Sequence, residues 1–385
     1  MSALPARFPA RFPASRSVVE FTYQSQSIQF TEWISLLTLC LAPLIAHIVA
    51  GVPTPVYLVR RRAPWHSLLG HFNPTSILWR YLIITDRRAR AKDWNALDMA
   101  ASCALFWTRH GWDGSEEMMW KSRAICTRVP SLRRISFASV SMATTLIVTL
   151  QGAQAIYLPV VGYVNGNYAF GVAFSSIFSP LAFLGLMRLP AALWLTQDYS
   201  YADIDHMQVT GVDETEGLDL IDMTTKNTAS SRAFPYRGLD ERDGGRSVSA
   251  EERFYPSNSW RSIIIRFLFL VPLLGSVALS AAYIGQSQPA YGGVFFTSTH
   301  IVVVTFYLVL AIGIILTFSV YFWKGNTTNT VLPCIGATWY KVYTGILILL
   351  AVVAMVISGL ETRKSTCGIY TTMRPSVDQF GCANM

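Results

Sequence analysis

Two stretches of this chain carry no formal charge, residues 135–187 and 267–323, which are 53 and 57 consecutive positions. Charged residues make up about a quarter of an ordinary globular protein, so a water-soluble fold has no use for such runs. A bilayer requires them, because a charge at its centre costs about 2.5–3.5 kcal/mol even on the lenient insertion scale. Across the whole chain apolar types reach 52% and charged types only 14%, which places the protein in the membrane class. The expected fold is all-α: a polytopic transmembrane helix bundle, with a partly helical basic cytosolic segment and a disordered acidic cytosolic loop.

A helix needs about 20 apolar residues to cross roughly 30 Å of hydrocarbon. Six segments reach that length: 34–52, 136–158, 168–187, 262–285, 300–323 and 342–360. Pro43 and Pro180 kink the first and third without forbidding them. The expected organisation is an outer tail 1–33, helix 34–52, a basic Trp-rich segment 53–134, a hairpin 135–195, an acidic loop 196–261, a hairpin 262–323, a short loop 324–341, helix 342–360 and an outer tail 361–385. The uncharged run 99–108 is too short to cross and reads as interfacial or re-entrant. The repeat ARFPARFP at 6–13 reads as a disordered tail. The first apolar core begins after residue 33, so it reads as an uncleaved anchor.

Charge sets the expected orientation. Residues 53–134 hold 14 Lys and Arg, while 159–167 and 286–299 hold none. By the positive-inside rule the basic segment is cytosolic, and both termini are lumenal or extracellular. Trp194, Trp260, Trp323 and Trp339 then all fall at cytosolic span ends, where indole favours the headgroup layer. The sequon at Asn326 lies on that same side and should stay unmodified.

The two long cytosolic segments differ in kind. In 53–134, Asn73 and Pro74 form a helix start, as N-cap and first helical residue. The run that follows is amphipathic and ends in Arg87, Arg88, Arg90 and Lys92, so it reads as a helix lying on the membrane surface. These four residues, with Arg188 and Arg266 at cytosolic span ends, are the candidate contacts for anionic lipid headgroups. His47, at a similar depth, could join that cationic cluster. Residues 196–261 hold 13 acids against seven bases and little apolar periodicity. That composition reads as disordered, open to phosphorylation near Ser247 and Ser249, and a possible contact for a cytosolic protein partner.

Several chemistries are excluded. The six expected spans hold no Asp, Glu or Lys, which disfavours proton-coupled transport, a retinal Schiff base and carboxylate-paired cyclases. The six histidines form no di-iron pattern, and no nucleotide-binding, zincin or hydrolase motif occurs. No catalytic residue, cofactor or metal ligand is expected, and nothing points to nucleic acid. Small residues such as Ser276 and Ser280 indicate close helix packing. Cys367 and Cys382 share the outer tail and are expected to form a disulfide; Cys126 and Cys334, near the membrane, are candidates for palmitoylation.

Two stretches, LTLCLAPLIAHIVAGVPTPVYL (37–58) and GHFNPTSILWRYLIITDRRARAKDW (70–94), with the Trp-rich run to Trp120, resemble uncharacterised multi-pass membrane proteins of filamentous fungi. The resemblance implies a fungal membrane protein and carries over no activity. The expected function is a non-enzymatic scaffold, sensor or accessory factor at the cytosolic face. The alternatives are a passive facilitator of a small lipophilic solute, or a membrane-embedded enzyme with an unrecognised site.

Overall fold

The structure, a computed structural model, describes residues 21–136, 138–164, 172–202, 253–285, 297–375 and 378. It is mostly helical. In chain order the helices are α1 (Phe30–Gly51), α2 (Trp65–Phe72), α3 (Pro74–Arg90), α4 (Ala96–Cys103), α5 (Glu116–Lys121), α6 (Val140–Val164), α7 (Ser179–Gly185), α8 (Trp260–Gly285), α9 (Ser298–Trp323) and α10 (Thr338–Glu361). Short strands interrupt them: β1 (Pro55–Tyr57), β2 (Leu105–Thr108), β3 (Gly111–Asp113), β4 (Cys126–Arg128), β5 (Ser200–Tyr201), β6 (Arg363–Lys364) and β7 (Tyr370–Thr371). They pair as β1-β2-β3, β4-β5 and β6-β7, so the all-α expectation needs correcting by three small sheets.

Among the described residues, five helical stretches are long and apolar enough to cross a membrane: Phe30–Gly51, Phe174–Trp194, Trp260–Ala278, Ser298–Trp323 and Thr338–Glu361. In α1, α8 and α10 only 22% of the most apolar window is buried inside the protein. Residues such as Leu39, Val49, Phe267, Val271, Leu349 and Val356 instead face outward. Apolar faces of that extent need an apolar surrounding. A further long helix, the 25-residue α6, packs against α7 and α1.

The ends of the apolar helices differ from the sequence reading in instructive ways. The stretch expected at 168–187 is helical over Phe174–Trp194 and built in three parts, with 3-10 geometry at Phe174–Ser176 and Leu186–Trp194 around α7. Pro180 starts α7 rather than kinking it, because its fixed φ suits the first turn. Pro190 lies inside the second 3-10 part, where it has no N–H to donate. Arg188 therefore sits within the helical stretch. α1 and α10 also take in Glu32 and Glu361, beyond the charge-free limits read from sequence.

Segments assigned by sequence to one side of a membrane do meet one another. At one end of the bundle Trp79 Nε1 donates to the Asn329 carbonyl at 3.0 Å and Arg87 donates to the Thr328 carbonyl at 2.7 Å. At the other end Gln24 N donates to the Leu360 carbonyl, and Thr372 N to that of Val172. There, too, the buried Glu361 carboxylate accepts from Ser298 N, Thr299 N and the Thr299 hydroxyl. It thus caps the first turn of α9, where orphan N–H groups and the helix dipole favour an anion. Arg363 forms a two-pronged pair with Asp378, holding that carboxyl below its usual range.

α3 is the helix that organises the first end. Asn73 Oδ1 accepts from Thr75 N at 2.9 Å with Pro74 behind it, as the sequence predicts. Its environment is not the predicted one: Ile77, Leu78, Trp79, Tyr81, Leu82, Ile83 and Ile84 are all buried. Trp79 packs edge-on to Phe318 and stacks near Phe322 of α9. Amphipathic periodicity reports an apolar face, and cannot say whether lipid or protein covers it. Here protein covers both faces.

Residues 99–108 divide between a helix and a strand. α4 ends at Cys103, and β2 then pairs in parallel with β1 and antiparallel with β3. Gly111, with φ +107°, turns the β2-β3 hairpin.

Candidate functional site

The chemistry-bearing residues of this protein gather at the α3 end, in a platform made from residues 53–134 and the short segments that meet it. Buried charges there are tied in threes. Asp98, 1% exposed, accepts from Arg123 at 2.5 Å and from Arg253 at 3.0 Å. The same carboxylate accepts from Asn95 N, while Asn95 Oδ1 accepts from Asp98 N, closing a capping box on α4. Arg90 pairs with Asp86 at 2.8 Å and with Glu116, and donates to the Tyr255 carbonyl. Those carboxylates hold its pKa above the ordinary value against the opposing effect of burial. Arg87 donates to Ser102 Oγ and to the carbonyls of Gly114 and Thr328, and burial lowers its pKa to about 10. It remains a cation at neutral pH.

Both ends of the acidic loop attach to this platform by backbone pairing. β5, just before residue 203, pairs antiparallel with β4, and Ala202 N donates to the Ile125 carbonyl. After residue 252, Lys92 N donates to the Arg253 carbonyl and Tyr255 N to that of Arg90. Of the loop read as disordered from 196 to 261, its first and last residues are thus structured. Residues 203–252, with Ser247 and Ser249, lie outside the described residues.

The six candidate headgroup contacts do not converge. Arg87, Arg90 and Arg188 are 0%, 1% and 3% exposed, and each donates to groups of the protein itself. Arg188 donates to Thr145 Oγ1 at 2.9 Å and to the Ala50 carbonyl, one of the orphan carbonyls ending α1. His47 lies near it, buried, with neither ring nitrogen partnered among the described residues. Arg88 is half-buried between the rings of Trp94 and Trp194, an arrangement that favours guanidinium. Arg266 is elsewhere, donating to the Ser257 carbonyl and to Thr327 Oγ1. Only Lys92 is exposed, its ammonium over Tyr255. The expectation of a basic surface on α3 is corrected accordingly: the arginines are internal because carboxylates and orphan carbonyls, which the sequence does not place, meet them inside.

Cys126 and Cys334 are buried as well, and burial raises both thiols to about 11. Neither suits the palmitoylation expected of it, which needs an accessible thiolate. Cys367 is disulfide-bonded, whereas Cys40, Cys103, Cys126 and Cys334 are free thiols. Cys382, its expected partner, lies outside the described residues. Among the described residues no cluster of His, Cys, Asp and Glu could hold a metal ion.

One cavity lies between the platform and the apolar helices. It is lined by Gly51 and Pro53 at the end of α1, by His71, Ser76 and Arg80, and by Leu105 and residues 330–332. About 20 Å³ of it is open to the centres of water molecules, room for one or two. Arg80 grips two neighbouring carbonyls, those of Gly51 and Cys103, and also bonds Tyr199. The His71 ring packs edge-on to Trp112, 4.7 Å between centroids, and its Nε2 is buried without a partner among the described residues. Burial, with help from the Arg80 charge, lowers the His71 pKa to about 3, so the ring is neutral at physiological pH. This site had no sequence signal, since His71 and Arg80 carry no motif and meet only through the turn between α2 and α3.

The class these features define is a mostly helical protein with five helices of membrane-crossing length and apolarity among the described residues, compatible with a multi-pass membrane protein, and a folded, ion-paired platform at one end. No family model matches the chain, and no curated protein and no solved structure matches it.

Proposed function

We propose that this is a six-span membrane protein, with α6 as the sixth crossing and both termini lumenal or extracellular, that acts as a non-enzymatic scaffold or accessory factor. Its cytosolic platform displays residues 203–252 to a protein partner. The observation that carries this reading is the anchoring of both ends of that loop to one folded platform, through β4-β5 on one side and the antiparallel Ala91–Phe254 bridge on the other. The loop holds 12 acids against five bases, so the partner it suits has a basic surface. The basic platform supports the orientation, and so do the exposed indoles of Trp260, Trp323 and Trp339, which all stand at the platform end.

Two experiments test it together. Reporter fusions after Arg134 and after Arg253 should read cytosolic, and one at Met385 lumenal; a cytosolic C-terminus sinks the topology. Cells lacking the protein should be compared with cells in which 203–252 is a Gly-Ser linker, by untargeted lipid and metabolite profiling. Matching phenotypes with unchanged profiles support the scaffold. Loss of one product with accumulation of its precursor refutes it in favour of an enzyme, and altered partition across the membrane refutes it in favour of a facilitator.

A further inference from the structure

The cavity beside α1 combines two features that the packing of the protein does not require. Arg80 has only neutral partners, the Gly51 and Cys103 carbonyls and Tyr199, and no carboxylate pairs with it among the described residues. A half-buried guanidinium without a counter-ion leaves the cavity positive, and that costs free energy unless an anion answers it. His71, in turn, has a buried Nε2 with no hydrogen-bond partner among the described residues. A buried polar group of that kind is destabilising if nothing satisfies it. Both residues line the same small space.

Size and surroundings narrow the ligand. Room for one or two oxygen-sized atoms admits the tip of an oxyanion and excludes a sugar or a base. The remaining wall, which includes Pro53, Ile77, Leu105 and Val331, is mostly apolar. The cavity also stands at the level where α1 ends, at Gly51, which in the orientation proposed above is headgroup depth. Guanidinium is the side chain best matched to phosphate oxygens, and a neutral imidazole adds one directed hydrogen bond.

We propose that the Arg80–His71 cavity binds phosphate oxygens, supplied by the headgroup of an anionic phospholipid or by free phosphate. Arg80 provides the charge, and His71 Nε2–H donates to a second oxygen. The site is distinct from the arginines of α3 that the sequence singled out. It would also stand if the loop at 203–252 had another role.

The test uses the full-length protein in nanodiscs of phosphatidylcholine, alone or doped with phosphatidic acid. Inorganic phosphate is titrated into the first sample, and thermal stability and retained lipid by native mass spectrometry are read in both. Stabilisation by phosphate in phosphatidylcholine identifies free phosphate as a sufficient ligand; stabilisation only with phosphatidic acid identifies the lipid headgroup; either supports the site. His71→Phe keeps the ring against Trp112 and should fold as well as the wild type, yet bind about tenfold more weakly, the cost of one lost hydrogen bond to a charged group. Arg80→Lys should retain part of the binding and Arg80→Gln none. Absence of stabilisation by either source would mean that the cavity holds only water, and overturns the proposal. So does wild-type affinity in His71→Phe.

Discussion

Removing the Asp98 carboxylate should be the most damaging single change to the platform. The side chain is 1% exposed, and three groups converge on it: Arg123 at 2.5 Å, Arg253 at 3.0 Å and the Asn95 N–H at 3.0 Å. In Asp98→Ala two guanidiniums with side chains only 8% and 13% exposed lose this carboxylate. Breaking a buried pair from one side costs about 3–5 kcal/mol, because the surviving charge stays desolvated. Loss of the capping box on α4 adds about 1 kcal/mol. Asp98→Asn keeps an acceptor for Asn95 and loses the charge, so it should cost less than the alanine variant, by about that capping increment. The assay is thermal unfolding in nanodiscs, with limited trypsin digestion as a local readout. The Arg253 side chain loses its ion pair with Asp98, so cleavage after Arg253 should accelerate in both variants before the helices unfold. Pairing Asp98→Ala with Arg253→Ala completes a cycle whose coupling should exceed about 1 kcal/mol. A loss below about 1 kcal/mol in Asp98→Ala, or unchanged trypsin cleavage, would refute the view that this carboxylate ties the loop end to the platform.

Other outcomes follow from particular contacts. Gly152→Ala places a Cβ 2.5 Å from Leu186 Cγ and 2.8 Å from the Ala182 carbonyl, so α6 must shift, and thermal unfolding should show a loss of about 1–3 kcal/mol. Glu361→Ala removes three hydrogen bonds from the start of α9 and should cost about 2–4 kcal/mol, with Glu361→Gln retaining part of the cap. His71, with its pKa lowered to about 3, binds its proton more readily when unfolded. Its contribution to stability is therefore complete above about pH 6.5 and lost progressively toward pH 3, about 2 kcal/mol by pH 5. Stability profiles of wild type and His71→Phe should diverge over that range and coincide at neutral pH. Digestion without reduction, after alkylation, should recover Cys367 only in a disulfide-linked peptide, and an alkylated Cys367 would contradict the bond.

What the sequence determined by itself were the properties that depend on counting along one chain. Charge-free length alone marks 298–323 and 338–361 within two to four residues of their observed starts, since crossing an apolar layer demands about 20 consecutive residues of one kind. The start of α3 was equally legible, because Asn73 and Pro74 act on the backbone within two residues of themselves. Which loops meet was also readable, as alternation along the chain dictates it. The roles of the arginines were decided only by tertiary structure. Arg87, Arg90 and Arg188 look like surface cations until Gly114, Thr328, Glu116 and Ala50 come to meet them from far along the sequence. The pairing of β1 with β2 and the two attachment points of the acidic loop also depend on partners more than forty residues away. A buried charge is stable only by virtue of what surrounds it; the pattern along the chain names the charge, and the fold alone supplies its surroundings.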